Sequence, residues 1–146
     1  MTGPVSTERG EQPGERREGR GSSPPRQARA GEGTRQPTDP EDLKIIGLAR
    51  AALARSNASE AACVRDTDGR TYAGVRVELP HLRLSAISVA VAMAVSSGAS
   101  GLEAVALAGN DAPSPDDLAV ITDLGGQAVV VWSADPAGSV RSRITS

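Results

Sequence analysis

The chain has 146 residues, 38% of them apolar and 23% charged, with a formal net charge of -2 at pH 7. That length suits one domain at most. A single cysteine excludes an intramolecular disulfide, and the first residues hold no apolar stretch of the kind a secretory signal needs, so cytoplasmic residence is the default expectation.

Residues 1–40 contain no Ile, Leu, Phe, Trp, Tyr or Cys. A segment of this composition buries too little apolar area to offset the entropy of ordering it. We therefore expect a disordered tail over 1–37 and a folded domain over 38–146. Seven arginines in the first forty residues, Arg16, Arg17 and Arg20 among them, are nearly balanced by six acidic residues, which reads as a solvated tail. Beyond residue 40 there are nine basic and twelve acidic side chains. That balance argues against a broad phosphate-binding face, and so against nucleic acid as a partner.

A first helix is predicted over 43–55. Thr38 or Asp39 can cap it, Pro40 suits its first turn, and Ile45, Leu48, Ala49, Ala52 and Leu53 fall on one face. Asn57 is suited to closing it. Two strands follow as a hairpin, over 61–65 and 71–77, joined at Asp68-Gly69. Imperfect alternation of Tyr72, Val75 and Val77 suggests a bulge near Gly74. Cys63 reads as a small buried hydrophobe rather than a reactive thiol. His81, the only histidine, follows Pro80 in a connection and is expected to face solvent or pack at an edge.

The stretch 84–98 is nearly all apolar between Ser85, an N-cap candidate, and Ser96-Ser97-Gly98. Its many alanines and the cap at each end favour a buried central helix over a strand. It is too short for a bilayer span, which takes roughly 20 residues, so no membrane association is expected. A strand over 102–108 places Val105 and Leu107 on one face and Ala104 and Ala106 on the other. Ser114-Pro115-Asp116-Asp117 then caps a helix whose inner face is Leu118, Ile121 and Leu124 and which ends at Gly125-Gly126. An apolar strand over 128–132 and an edge strand over 139–144 complete the chain. Strands alternating with helices in this order predict an α/β fold, a three-layer α/β/α sandwich on a mixed sheet.

The run Asp68-Gly69-Arg70-Thr71-Tyr72-Ala73-Gly74, with Val77-Glu78, Ala94-Val95-Ser96-Ser97-Gly98 and Ala104-Val105-Ala106-Leu107, resembles the small cytidine deaminases. In that family an Asn-x-Glu grips the nucleoside sugar. A Cys-Ala-Glu opening the central helix supplies a zinc ligand and the proton shuttle, and Pro-Cys-x-x-Cys at the next helix completes the zinc site, whose water attacks C4 of cytosine. Carried over residue by residue, the resemblance keeps the scaffold and loses the chemistry. Arg76 stands for the Asn and Glu78 matches its Glu. Ser85-Ala86-Ile87 stands for Cys-Ala-Glu, and the second motif falls on Ser114 to Ala119, including Asp116 and Asp117, with no cysteine. Arg76, Glu78, Ser85, Ile87, Asp116 and Asp117 are thus the positions of a degenerate pocket, with no catalytic residue, no metal and no cofactor assigned.

Two functions stay open on these residues. One is a noncatalytic binding or assembly module; the other is a hydrolase of the cytidine deaminase class acting on a cytidine-like nucleoside or nucleotide through an unusual site. For a bound ligand, the charge on Arg76 points to a phosphate-bearing compound over a neutral nucleoside. Because the central helix has no charged face, a homo-oligomer is expected, with Ala86, Ala90 and Ala94 letting two copies of the helix approach. The other arrangement is full burial of that helix within one subunit.

Overall fold

A computed structural model of the chain describes residues 36–146, and the expected disordered tail lies outside them but for its last two residues. Asp39 opens α1 (Pro40–Ala54) by accepting the Glu41 N–H on its carboxylate at 2.9 Å, a cap that satisfies one of the otherwise orphaned donors of a first turn. Two strands follow, β1 (Glu60–Asp66) and β2 (Thr71–Val75), then the short pair β3 (Val77–Glu78) and β4 (Arg83–Leu84). Helix α2 (Ala86–Ser96), β5 (Leu102–Gly109), α3 (Pro115–Gly125), β6 (Val130–Ala134) and β7 (Val140–Thr145) complete the chain. The main sheet has the order β2-β1-β5-β6-β7, and only β5 and β6 run parallel, joined through α3. This is the mixed sheet expected.

Strand alternation divides the core into two layers. Ala62 and Val64 of β1, Val105 and Leu107 of β5 and Val131 of β6 face α2 and α3, where Ile87, Ala90, Ala94 and Ile121 meet them. Cys63, Ala104, Ala106, Ala108, Trp132 and Ala134 pack on the opposite side against Ile45, Ile46 and Ala49 of α1. Alanine at three alternate positions of β5 keeps that side shallow and lets α1 lie close. The fully buried Ile45, Ile87, Leu107 and Ile121 each contribute about 1.5–3 kcal/mol through removal from water. Trp132 is 3% exposed, its indole N–H has no acceptor among the described residues, and the Arg143 guanidinium of β7 lies 5.7 Å from its ring centroid.

The turn between β1 and β2 is organised by one buried carboxylate. Asp66 Oδ1 accepts the backbone N–H groups of Asp68 at 2.9 Å and Arg70 at 2.8 Å. Its Oδ2 accepts Arg70 Nε at 3.1 Å and the Tyr72 hydroxyl at 2.9 Å. Gly69 takes φ +84° at the tip, a conformation costly for a residue with a Cβ. On the same strand Arg65 joins three elements, with Nη1 3.1 Å from Asp42 of α1 and Nε 2.9 Å from Glu103 of β5.

Several boundaries differ from those expected. The first helix begins at Pro40, a turn before residue 43. The second hairpin arm stops at Val75: Arg76 N–H still bonds in register to Glu60 O at 3.1 Å, but Val77-Glu78 leave the main sheet to pair with β4. The connection after it is therefore a small hairpin, closed by Leu79 N–H to Leu82 O at 2.9 Å, with His81 exposed at its tip. Strand β6 starts at Val130 and not at residue 128, since Ala128 sits at φ +70° and the residues there bond to Ser146.

No bulge occurs at Gly74, which is in register opposite Ala62; the irregularity in β1 lies between Arg65 and Asp66, against β5. Gly74 has a packing role instead. A Cβ there would sit 2.6 Å from Val89 Cγ1 and 3.3 Å from the Ala90 backbone N, so α2 rests directly on the strand backbone. Gly74→Ala is expected to destabilise the fold by about 1–3 kcal/mol. Adding Val89→Ala, which deletes the closest atom, should recover part of that loss in urea unfolding. An unchanged midpoint for the single variant would show that α2 can shift without cost.

Candidate functional site

Two helices point their N-termini at one spot. Ser85 caps α2, its Oγ accepting the Ser88 N–H at 3.1 Å, and Ser114 caps α3, its Oγ accepting the Asp117 N–H at 3.0 Å. Asp117 closes the second cap into a capping box by accepting the Ser114 N–H on Oδ2 at 3.1 Å. Its other oxygen, Oδ1, accepts the Ser85 hydroxyl at 2.6 Å. One carboxylate, 6% exposed, therefore links the first turns of two helices through residues 32 apart in sequence.

A second acidic group reaches the same place from the sheet. Glu60, the first residue of β1, accepts the Ala86 N–H of α2 on Oε2 at 3.0 Å and Arg76 Nη1 at 3.2 Å. The remaining Nε of Arg76 donates to Glu78 Oε2 at 2.7 Å. Its hydrogen bond to Glu78, and the nearby Glu60 carboxylate, raise the guanidinium above its ordinary pKa, with partial burial opposing them.

These groups border a cavity of about 390 Å³ that Glu60, Arg76, Arg83, Ser85, Asp116 and Asp117 help to line. The volume lies within the usual range for a small-molecule site. Four carboxylates, those of Glu60, Asp111, Asp116 and Asp117, face two guanidinium groups, Arg76 and Arg83. Arg76 is already shared between two carboxylates, the four carboxylates offer acceptors for hydroxyl or amino groups, and Arg83, whose Nε donates to Leu79 O at 3.4 Å, is the second cation of the wall. No imidazole lines it, so Ser85 has a carboxylate partner and no histidine to act as its base.

Of the positions singled out in the sequence, Arg76, Ser85, Asp116 and Asp117 come together in the cavity wall. Glu78 touches it only through Arg76 and borders a separate hollow with Ser56 and Asn57. Ile87 is fully buried in the apolar core. Glu60, Arg83 and Asp111 escaped the sequence reading as site residues, and Ser114 entered it only as the start of the second motif's stretch. For Glu60 one signal existed: α2 has no acidic residue in its first turn, so its exposed donors called for a carboxylate from elsewhere.

A sequence profile described as cytidine deaminase-like matches residues 38–138, and the chain belongs to this family. The fold is also that of solved cytidine deaminases. The enzyme from Burkholderia pseudomallei is 25% identical, with 70% of this chain and 89% of that one covered and a TM-score of 0.61. Those from Mycobacterium leprae and Mycobacterium tuberculosis are 23% and 24% identical, with TM-scores of 0.58 and 0.56; each match covers 71% of this chain and, respectively, 94% and 91% of the other. No curated protein matches the sequence.

The zinc that the resemblance implies does not suit the residues present. Structural and catalytic zinc sites use thiolates, imidazoles and carboxylates, and no group of three or more such side chains that could hold a metal occurs among the described residues. At the positions that the two motifs mark, the side chains are the neutral hydroxyls of Ser85 and Ser114 and the Asp117 carboxylate, whose oxygens are both already bonded, and the Glu60 carboxylate beside them is engaged by the Ala86 N–H and by Arg76. Cys63 lies across the sheet, in the layer under α1. Burial pushes its thiol up to about 11, against a backbone hydrogen bond from Tyr72 and the charges of Lys44 and Arg65, so it stays protonated at neutral pH.

Proposed function

We propose that the protein is a cytidine deaminase-like scaffold without deaminase activity that serves as a noncatalytic binding or assembly module. The observation that carries this reading is the Ser85–Asp117 hydrogen bond of 2.6 Å, which stands where a metal ligand would be needed and leaves a serine in place of a thiolate. A metal-hydroxide mechanism requires both the metal and a proton carrier, and the carrier's position holds buried Ile87. Purified protein is expected to contain no stoichiometric zinc after a chelator wash and to leave cytidine and deoxycytidine unconverted. Elemental analysis and an ultraviolet absorbance assay check these together. Turnover lost on substituting Glu60 or Glu78 would establish the hydrolase alternative instead.

Assembly belongs to the same proposal, with a changed contact face. Ala86, Ala90 and Ala94 are each 0% exposed and pack within the subunit, so this stripe serves the core and not a partner helix. What α2 presents outward is Met93 and Val95, 40% and 52% exposed. A twofold contact between two copies through these side chains is the self-association we propose. Among the described residues no helix is long and apolar enough to cross a membrane. A cytoplasmic location accords with Cys63 as a buried free thiol.

A further inference from the structure

Helix N-termini carry partial positive charge, and two brought together repel unless a negative group lies between them. In this chain α2 has no acidic residue in its first turn, and the hydroxyl at its N-cap is tied to a carboxylate of α3. The stretch Pro113-Ser114-Pro115-Asp116-Asp117 has the spacing of the Pro-Cys-x-x-Cys motif of the resembled family, and on this placement its cysteines fall on Ser114 and Asp117. Those are the two residues that form the capping box of α3, with bonds of 3.0 and 3.1 Å, and Asp117 is the one that reaches Ser85. Charge agrees with position. A divalent zinc held by three thiolates carries a single net negative charge, and so does the Asp117 carboxylate, which accepts the Ser85 hydroxyl and the Ser114 backbone N–H, the neighbouring Glu60 carboxylate being paired with Arg76.

We infer that Ser85, Ser114 and Asp117 stand at the three metal-ligand positions and that the hydrogen bonds among them replace the metal as the cross-link between the N-termini of α2 and α3. The fold is thereby independent of metal while keeping polar side chains at the positions of metal ligands. This goes beyond the absence of catalysis, and its tests read no activity, so it can fail while the noncatalytic reading stands.

Unfolding of the full chain in urea, with and without chelator, comes first: the two midpoints should coincide, and a chelator-dependent drop would overturn the inference. Ser85→Ala and Asp117→Ala should each lower the folding equilibrium constant by about tenfold to a hundredfold. Together they should cost less than the sum of the two, because they break one shared bond; additive losses would show no cross-link. The positional half is tested with Co2+. Full-length protein carrying Ser85→Cys, Ser114→Cys and Asp117→Cys should bind one Co2+ with thiolate charge-transfer absorption, and a set with Ser85→Cys, Asp116→Cys and Ala119→Cys should not. A folded first set that binds no Co2+, or binding by the second set alone, overturns the assignment. If the first set does not fold, the Ser85–Asp117 cycle decides.

Discussion

Asp66→Ala is expected to lower stability by about 3 kcal/mol, the summed cost of deleting a buried acceptor of several part-buried hydrogen bonds. The carboxylate is 1% exposed and accepts the N–H groups of Asp68 and Arg70, Arg70 Nε and the Tyr72 hydroxyl. Removing it strands the two backbone donors and the hydroxyl, while Arg70, half exposed, can be rehydrated and adds little. Asp66→Asn should cost less, since an amide oxygen can keep the two backbone bonds. The pH dependence gives a second measurement. Burial pushes the Asp66 carboxyl up, but the Arg70 backbone hydrogen bond, the Tyr72 and Asp68 bonds and the Arg70 charge outweigh it and hold the folded value below the ordinary one. With the folded value depressed, the unfolded chain binds the proton more readily. This contribution is present above the ordinary carboxylate range and is lost as pH falls through the folded value. Urea midpoints taken from pH 7 down to acid should fall less steeply in Asp66→Asn than in the parent. Equal slopes would mean that Asp66 does not carry the acid limb.

Placing glutamate at residue 87, where the resemblance puts the family's proton shuttle, is expected to unsettle the fold and not to supply chemistry. Ile87 is 0% exposed and packed in the core under α2, so Ile87→Glu gives up about 2–3 kcal/mol of apolar burial. It also places a carboxyl in surroundings with no charge partner, for a total of roughly 4 kcal/mol or more at pH 7. The sign of the pH effect is opposite to that of Asp66. Burial raises the folded pKa of the introduced acid, so the penalty shrinks as pH falls through that raised value. Denaturant unfolding at pH 7 and pH 5 separates the two cases. A variant within about 1 kcal/mol of the parent at pH 7 would show that residue 87 opens onto the cavity and could again carry protons.

Much of this architecture was legible because the elements announce themselves through caps and alternation. Ser114-Pro115-Asp116-Asp117 marked the start of α3 and Ser85 that of α2, since a side-chain oxygen ahead of an apolar helix has few other uses. The two faces of β5 followed from single-residue alternation of alanine with valine and leucine. What stayed hidden depends on tertiary approach. The glycine at 74 looked like a bulge because sequence shows its missing side chain but not Val89 lying 2.6 Å from where one would be. Arg76 looked like a free charge because its partners, Glu60 and Glu78, meet it only once β1 and β3 are in place. The alanines of α2 suited a helix partner and a sheet equally well, since small side chains permit close approach to either.

Trp132 is the only tryptophan in the chain, and its position makes it a selective optical reporter. It lies in the layer between the sheet and α1, beneath Arg143 of the edge strand, while Ser85, Asp117 and the cavity belong to the opposite side of the sheet. Emission from the native protein should therefore be blue-shifted and indifferent to what occupies the cavity. It should respond when β7 frays or when the layer under α1 opens. A ligand titration followed by this fluorophore would be silent even at saturation, so binding must be followed from the ligand or by the displacement of a urea midpoint, which the same indole would then record.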